Sequence, residues 1–219
     1  LDDAQIAGTT AQGLQNDKNL MHLQRAGVYY LQMNQRSGRV FANAKLRKAV
    51  NLALNKEQLT KKVLADGSTP ANTFVAPKLA TDPTTGKDFA AEMIPAVTHS
   101  VAEAKRLWKQ GLKEKNKKSV TVSYFTDDQT INKNIAQFVQ SQLESNLDGV
   151  KVDVRAVPSK NINDNVSKGN FDMHMSLWLA DYSDPMSDFD ILQSNNSQNY
   201  GKYNSSKFDS YVAAAKSKS

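Results

Sequence analysis

Between Val120 and Leu177 the spacing of apolar residues switches repeatedly between two and three-to-four, which confines this segment to strand, helix, strand, helix, strand. Val120, Val122 and Tyr124 alternate, and Ile131, Ile135, Phe138, Val139 and Leu143 then trace about four helical turns. Asp148-Gly149 turns the chain into "VKVDVRAV", where Val150, Val152, Val154 and Ala156 share one face. A short helix with Ile162 and Val166 ends at Gly169, and "FDMHMSLW" sets Phe171, Met173, Met175 and Leu177 on one side. Strands joined by helices require crossovers, so the fold is α/β with a mostly parallel or mixed sheet flanked by helices. Ligands gather at the C-terminal ends of such strands, here Thr126 to Thr130 and Trp178 to Pro185.

The flanking segments divide by the same signals. Residues 1–27 are a polar lead-in with a short helix, and residues 28–67 hold the strand "VYYLQMN", the turn "QRSGR" with Gly38, and two helices. The first helix carries Leu46, Ala49, Val50, Ala53 and Leu54. The second is capped by Asn55 with Gln58 three residues on, buries Leu59, Val63 and Leu64, and is expected to stop at Gly67. Residues 68–98, with Pro70, Pro77, Pro83, Gly86 and Pro95, have no period and read as an irregular excursion. A loop of that length is expected to cover a ligand or pack along the domain. The α/β unit fills 100–178, opened by a capping box of Ser100 and Glu103 before Val101, Ala104, Leu107 and Trp108, with Gly111 at the expected helix end. Residues 179–219 form a ligand-edge loop and a final helix from Ser205 or Ser206, whose one or two apolar turns (Phe208, Tyr211, Val212, Ala215) are expected to continue in a longer natural chain.

Composition removes several functions. The 219 residues include no cysteine, which excludes disulfides, thiolate metal sites and cysteine nucleophiles. No apolar run approaches the roughly 20 residues that span a bilayer. The opening "LDDAQIAGTTAQG" has neither a basic nor an apolar leader region, so any signal peptide or lipid anchor is expected to have been removed or to lie outside this segment. Hydrolase, P-loop, dinucleotide, HExxH and EF-hand patterns are missing, and His22, His99 and His174 fall on separate elements. No enzymatic activity and no cofactor is expected.

The formal charge is +6 and comes mostly from two lysine-rich stretches. Lys45, Arg47, Lys48, Lys56, Lys61 and Lys62 lie on the first helix pair; Lys105, Arg106, Lys109, Lys113, Lys115, Lys117 and Lys118 follow later. Such charge attracts nucleic acid or anionic lipid heads. The lysines lie opposite Leu46, Val50, Leu107 and Trp108, as on a solvated helix face, and no RNA-binding strand or zinc finger accompanies them, so nucleic acid is not an expected partner.

The stretch "SLWLADYSDPMSD" (Ser176 to Asp188) joins aromatic surface, carboxylates and a proline-stiffened turn at a strand end. Asp181, Asp184, Asp188 and Asp190 match no defined cation loop, and Pro185 restricts wrapping around a metal. Beside Trp178, Asp181 has two readings of equal standing: an acceptor for an ammonium such as a peptide α-amine, or a helix or turn cap.

Together "FANAKLRKAVNLALNKEQL", "VLADGSTPANTFVAP" and "WLADYSDP" resemble the extracytoplasmic oligopeptide-binding proteins of peptide importers, family 5 of the bacterial solute-binding proteins. The resemblance implies the second, inserted lobe of a two-lobed, type II periplasmic-binding-protein-like fold. It implies capture of extended oligopeptides between lobes, a missing first lobe, a monomer, and delivery to a membrane permease and its ATPase. The protein would lie outside the cytoplasm, anchored as a lipoprotein or periplasmic in a Gram-negative cell. By the same resemblance Asp181 receives the peptide α-amine, and Trp178, Leu179, Ala180 and Tyr182 form the adjoining wall. Tyr124, Thr126 and Asp127 form a rim. Met175 and Val166 stand where some members carry carboxylate-binding arginines, which points to longer or more apolar peptides. A nickel complex, haem, a sugar or a signalling peptide is the alternative cargo, and a chaperone-like interaction module the alternative role.

Overall fold

The computed structural model describes residues 4, 6, 8–93 and 97–217, and the alternating segment is its framework. Strand β2 (Val120–Asp127) runs into helix α6 (Thr130–Asn146), returns as β3 (Val150–Val157), passes through α7 (Ser159–Ser167) and ends as β4 (Met173–Leu179). Both β3 and β4 pair parallel to β2. Strand β1 (Gly27–Met33) adds antiparallel to β4, which gives the order β1-β4-β2-β3 and makes the sheet mixed.

The two pairings of β4 differ in length. It meets β2 only where Tyr124 faces Met173 and Phe125 faces His174, yet it pairs with β1 from Met173 to Leu179. Beyond His174 the two strands leave the sheet as a ribbon. On one ribbon face Met33 and Met173 root in the core, Leu31 and Met175 are half-buried, and Tyr29 and Leu177 are 49% and 42% exposed. At the tip Gly27 faces Leu179, and a Cβ on Gly27 would lie 2.5 Å from Leu179 Cδ2 and 2.9 Å from the Trp178 carbonyl. Only glycine fits that approach.

Three helices cover the main core face. Helices α2 (Ala44–Ala53), α5 (Val101–Glu114) and α6 pack Leu46, Val50, Trp108, Val139 and Leu143 against Val122, Tyr124, Val152 and Met173. Asn43 caps α2 by accepting from Lys45 N and Leu46 N, and Ser100 caps α5 at Glu103 N. Gly111 is not the end of α5; it lies inside the helix, where a Cβ would come within 2.6 Å of Leu46. The left-handed residue past that helix is Asn116, at φ 53°. Gly67 likewise does not stop the second helix. That helix, α3 (Lys56–Gln58), continues as π-helical turns over Leu59–Leu64 and ends on left-handed Ala65, whose N–H donates to the Thr60 carbonyl.

Phe171 does not share a face with Met173 as the period-two count predicts. It precedes the paired strand and packs with Phe125 and Val166 beneath α7, on the opposite side of the sheet. The excursion after residue 68 is also more ordered than its composition suggests: it buries Val75, Ala76 and Leu79, forms a Thr81–Asp88 bridge and contains the single turn α4 (Phe89–Glu92). Pro95 lies outside the described residues. Phe89 stacks edge-on with Phe189 of α8 (Met186–Asp190), and Phe189 with Phe208 of α9 (Ser206–Lys216), each at 6.3 Å. Helix α9 has three turns, and its Tyr211 faces solvent instead of the expected apolar side.

One side chain locks β1 to the rest. Asn34 is fully buried; its Nδ2 donates to the Gly169 and Phe171 carbonyls at 3.1 and 2.8 Å, and its Oδ1 accepts from Arg36 N and Nη1 at 3.2 and 3.0 Å. Both donors and both lone pairs of the amide are used. Asn34→Asp keeps the shape but turns a carboxylate oxygen toward two carbonyls, and should cost more than Asn34→Ala, which loses about 1–3 kcal/mol. Urea denaturation of the two variants tests the order; equal losses would refute it. Gly111→Val should cost about 1–3 kcal/mol by overpacking Leu46, whereas the exposed neighbour change Gln110→Ala stays within about 0.5 kcal/mol.

Candidate functional site

The C-terminal end of β4 carries the residues that the sequence singles out. Ala180 N donates to the Ala26 carbonyl at 2.9 Å, extending the ribbon by one step, and Asp181 N then donates to Ser187 Oγ at 2.8 Å. That second bond fixes the backbone of Asp181 to α8. Its carboxylate is exposed and accepts no hydrogen bond from the described residues. The turn is made instead by Asp184, whose Oδ1 accepts from Met186 N at 2.7 Å just ahead of the Pro185 N-cap of α8 (Met186–Asp190). The choice between recognition and capping at Asp181 therefore loses its capping half.

The neighbours separate by face. Leu179, 42% exposed, lies on the same side as Leu177 and Tyr29, and Trp178 lies on the other, opposite Val28, with its indole N–H buried and unpartnered among the described residues. Tyr182 is about half exposed, and partial desolvation followed by the carboxylates of Asp190 and Asp184 raises its hydroxyl pKa. Met175 is half-buried against the core, and Val166, on α7, is buried against Phe125 and Phe171.

The expected rim does not form. Tyr124 is wholly buried; burial strongly raises its hydroxyl pKa, and that hydroxyl has no hydrogen bond of ordinary geometry although the Met175 backbone lies beside it. Thr126 is buried, and Asp127 is committed to α6, accepting from Gln129 N and twice from Asn132 Nδ2. Even-numbered β2 residues up to Tyr124 point into the main core, which is why Tyr124 cannot serve. Sequence reasoning missed Tyr29 and Leu177 as an exposed cross-strand pair and Ser187 as the anchor of Asp181. The alternation gives Tyr29 its face but not its partner.

Below the loop sits Asp188, 1% exposed, with Oδ2 unpartnered among the described residues; burial pushes its carboxyl up to about 6, partly offset by the Ala76 backbone. Asp190 pairs with Lys216 at 2.7 Å and ties α8 to α9. No group of three or more His, Asp or Glu among the described residues is arranged to hold a metal ion. His174 is buried, its Nε2 2.6 Å from Gln32 Oε1, and burial lowers its pKa to about 4, so it is a neutral core residue. Two surface clefts, of about 630 and 540 Å³, lie away from Asp181. The first is lined by Arg39, Ser123, Asp153, Arg155 and Asp172, whose charges already pair with one another. Asp181 thus stands on an open edge.

The sequence profile of the bacterial extracellular solute-binding proteins, family 5 (middle region), matches residues 1–200. The chain belongs to this family. It is 33% identical over 178 residues to a dipeptide-binding protein of Lactococcus lactis subsp. cremoris, covering 81% of this chain and 32% of that protein. The crystal structure of a peptide-binding protein of a peptide ABC transporter superposes with a TM-score of 0.84 at 38% identity, covering 88% of this chain and 85% of that one. The oligopeptide-binding protein OppA of Listeria monocytogenes, solved bound to peptide, gives 0.89 at 32% identity over 96% of this chain and 44% of its own. The chain spans about a third of the length of the Lactococcus protein and folds as one lobe of the type II architecture. A family of solute-binding proteins accords with the expectation of no catalysis.

The buried Asp188 makes stability depend on pH. Its folded pKa of about 6 exceeds the ordinary 3.8, so the folded state holds the proton more tightly and loses stability as pH rises through that interval. Relative to the parent, Asp188→Asn should gain in melting temperature between about pH 4 and 6 and show no further relative change above. A constant difference across that range would disprove it.

Proposed function

We propose that the chain is the second, inserted lobe of an extracytoplasmic protein that captures oligopeptides and delivers them to a permease and its ATPase. The observation that carries this reading is Asp181: an exposed carboxylate with no partner among the described residues, backbone-fixed by Ser187, at the end of a strand paired on one side only beyond His174. The unpaired side of β4 offers backbone groups to an extended peptide, and the carboxylate offers a charge-assisted bond to its α-amine. Leu179, Ala180 and Tyr182 adjoin the amine end, with Trp178 bracing the strand from behind. Leu177 and Tyr29 extend the apolar surface along the ribbon.

The open edge gives half of an enclosure, and the first lobe would supply the other half on closure. Met175 and Val166 carry no arginine, so neither position offers the peptide carboxylate a cation, which favours ligands of variable length over a single short one. Family membership supports the extracytoplasmic setting; a lipoprotein anchor and a monomeric state complete the proposal.

Asp181→Asn in the complete two-lobed protein should weaken peptides with a free amine by about thirtyfold or more and leave N-acetylated peptides little changed. Calorimetry with matched free and acetylated peptides measures the difference. An equal effect on both would remove Asp181 as the amine receptor.

A further inference from the structure

The charge of this chain is segregated. From Lys105 to Lys118 seven cations stand against the single carboxylate of Glu114, an excess of six that equals the formal charge of all 219 residues. Everything else balances. Lys105, Lys109 and Lys113 recur every four residues on the exposed side of α5, and Lys117 and Lys118 follow in the turn before β2.

Ion pairing does not cancel this excess. Glu103 is held by Arg106 at 2.6 Å, and Glu114 by Lys45 and Asn43, whereas Lys105, Lys109, Lys113, Lys117 and Lys118 form no salt bridge among the described residues. Lys48 of α2 adds to the same surface, close enough to act on Glu103. The turn is also fixed. Lys117 N donates to the Leu112 carbonyl at 2.9 Å, Val120 N to the Gly149 carbonyl at 2.9 Å, and a Cβ on Gly149 would lie 2.6 Å from the Lys118 carbonyl.

The patch has a distinct chemistry and place. None of the large exposed hydrophobics belongs to it, so it has no aromatic platform on which a base could stack. Lysines without such platforms act as hydrated point charges toward phosphate. They sit at the start of β2, about 25 Å from its other end at the ligand edge.

We propose that this basic pole is a peripheral docking surface for an anionic phospholipid bilayer. Contact there points the ligand edge away from the lipid. It requires no peptide and is independent of the role of Asp181.

Vesicle flotation of the purified protein tests the proposal, with vesicles of phosphatidylcholine alone or mixed with phosphatidylglycerol, at low and at physiological salt. The protein should float only with phosphatidylglycerol, and less as salt rises. Reversing Lys109, Lys113 and Lys117 to Glu should weaken partitioning by about fivefold or more for each lysine. A control reversing Lys18, Lys62 and Lys160, equal in net charge, should retain it, with circular dichroism verifying that both variants fold. Equal partitioning to both vesicle types, equal losses in the two variants, or capture by soluble heparin without any vesicle binding would overturn it.

Discussion

The buried amide of Asn34 is the constraint on which this lobe depends. Strand β1 enters the sheet some 140 residues before its partner β4, and such a distant antiparallel pairing has no turn to set its register. Asn34 sets it chemically. By donating to two carbonyls at the α7–β4 junction and accepting twice from Arg36, it accepts one alignment and leaves buried groups unpaired in any other. The adjoining backbone bonds, Asn34 N to the Asp172 carbonyl and Gln35 N to the Gly201 carbonyl, extend the same junction to the segment before α9.

With the register fixed, the division of labour follows from side-chain alternation. One face of the sheet is filled by α2, α5 and α6, and the other is only partly covered by α7. The ribbon carries its apolar face beyond the helices into solvent, where an isolated domain has no use for Tyr29, Leu177 and Leu179. Opposite charges occupy opposite ends of the sheet: acidic groups gather beyond β4 and the lysine excess gathers before β2.

Much of this architecture is legible in the sequence because hydrophobic period reports burial directly. The β2–α6–β3 succession, the caps at Asn55 and Ser100 and the end of α7 near Gly169 all follow from local chemistry. What is not legible depends on partners distant along the chain. Gly111 looks like a helix stop until Leu46 is seen against it. Asp127 looks available until Asn132 takes both its oxygens, and Asp181 looks like a turn former until Asp184 is found making the turn. The excursion after residue 68 reads as featureless because its order comes from tertiary burial of Val75, Ala76 and Leu79 rather than from any repeat.

The two-stranded ribbon is braced from one side. The face that begins with Met33 and Met173 in the core ends in solvent at Tyr29, Leu177 and Leu179, whereas on the other face Val28 is buried near the tip and Tyr30 stacks edge-on with Phe74 at 5.0 Å. Asp181 follows that braced tip with its backbone tied to the Ser187 hydroxyl. One flank of the ribbon is thus committed to packing within the lobe, and the other is left as a surface that a further partner can cover without displacing anything already bound.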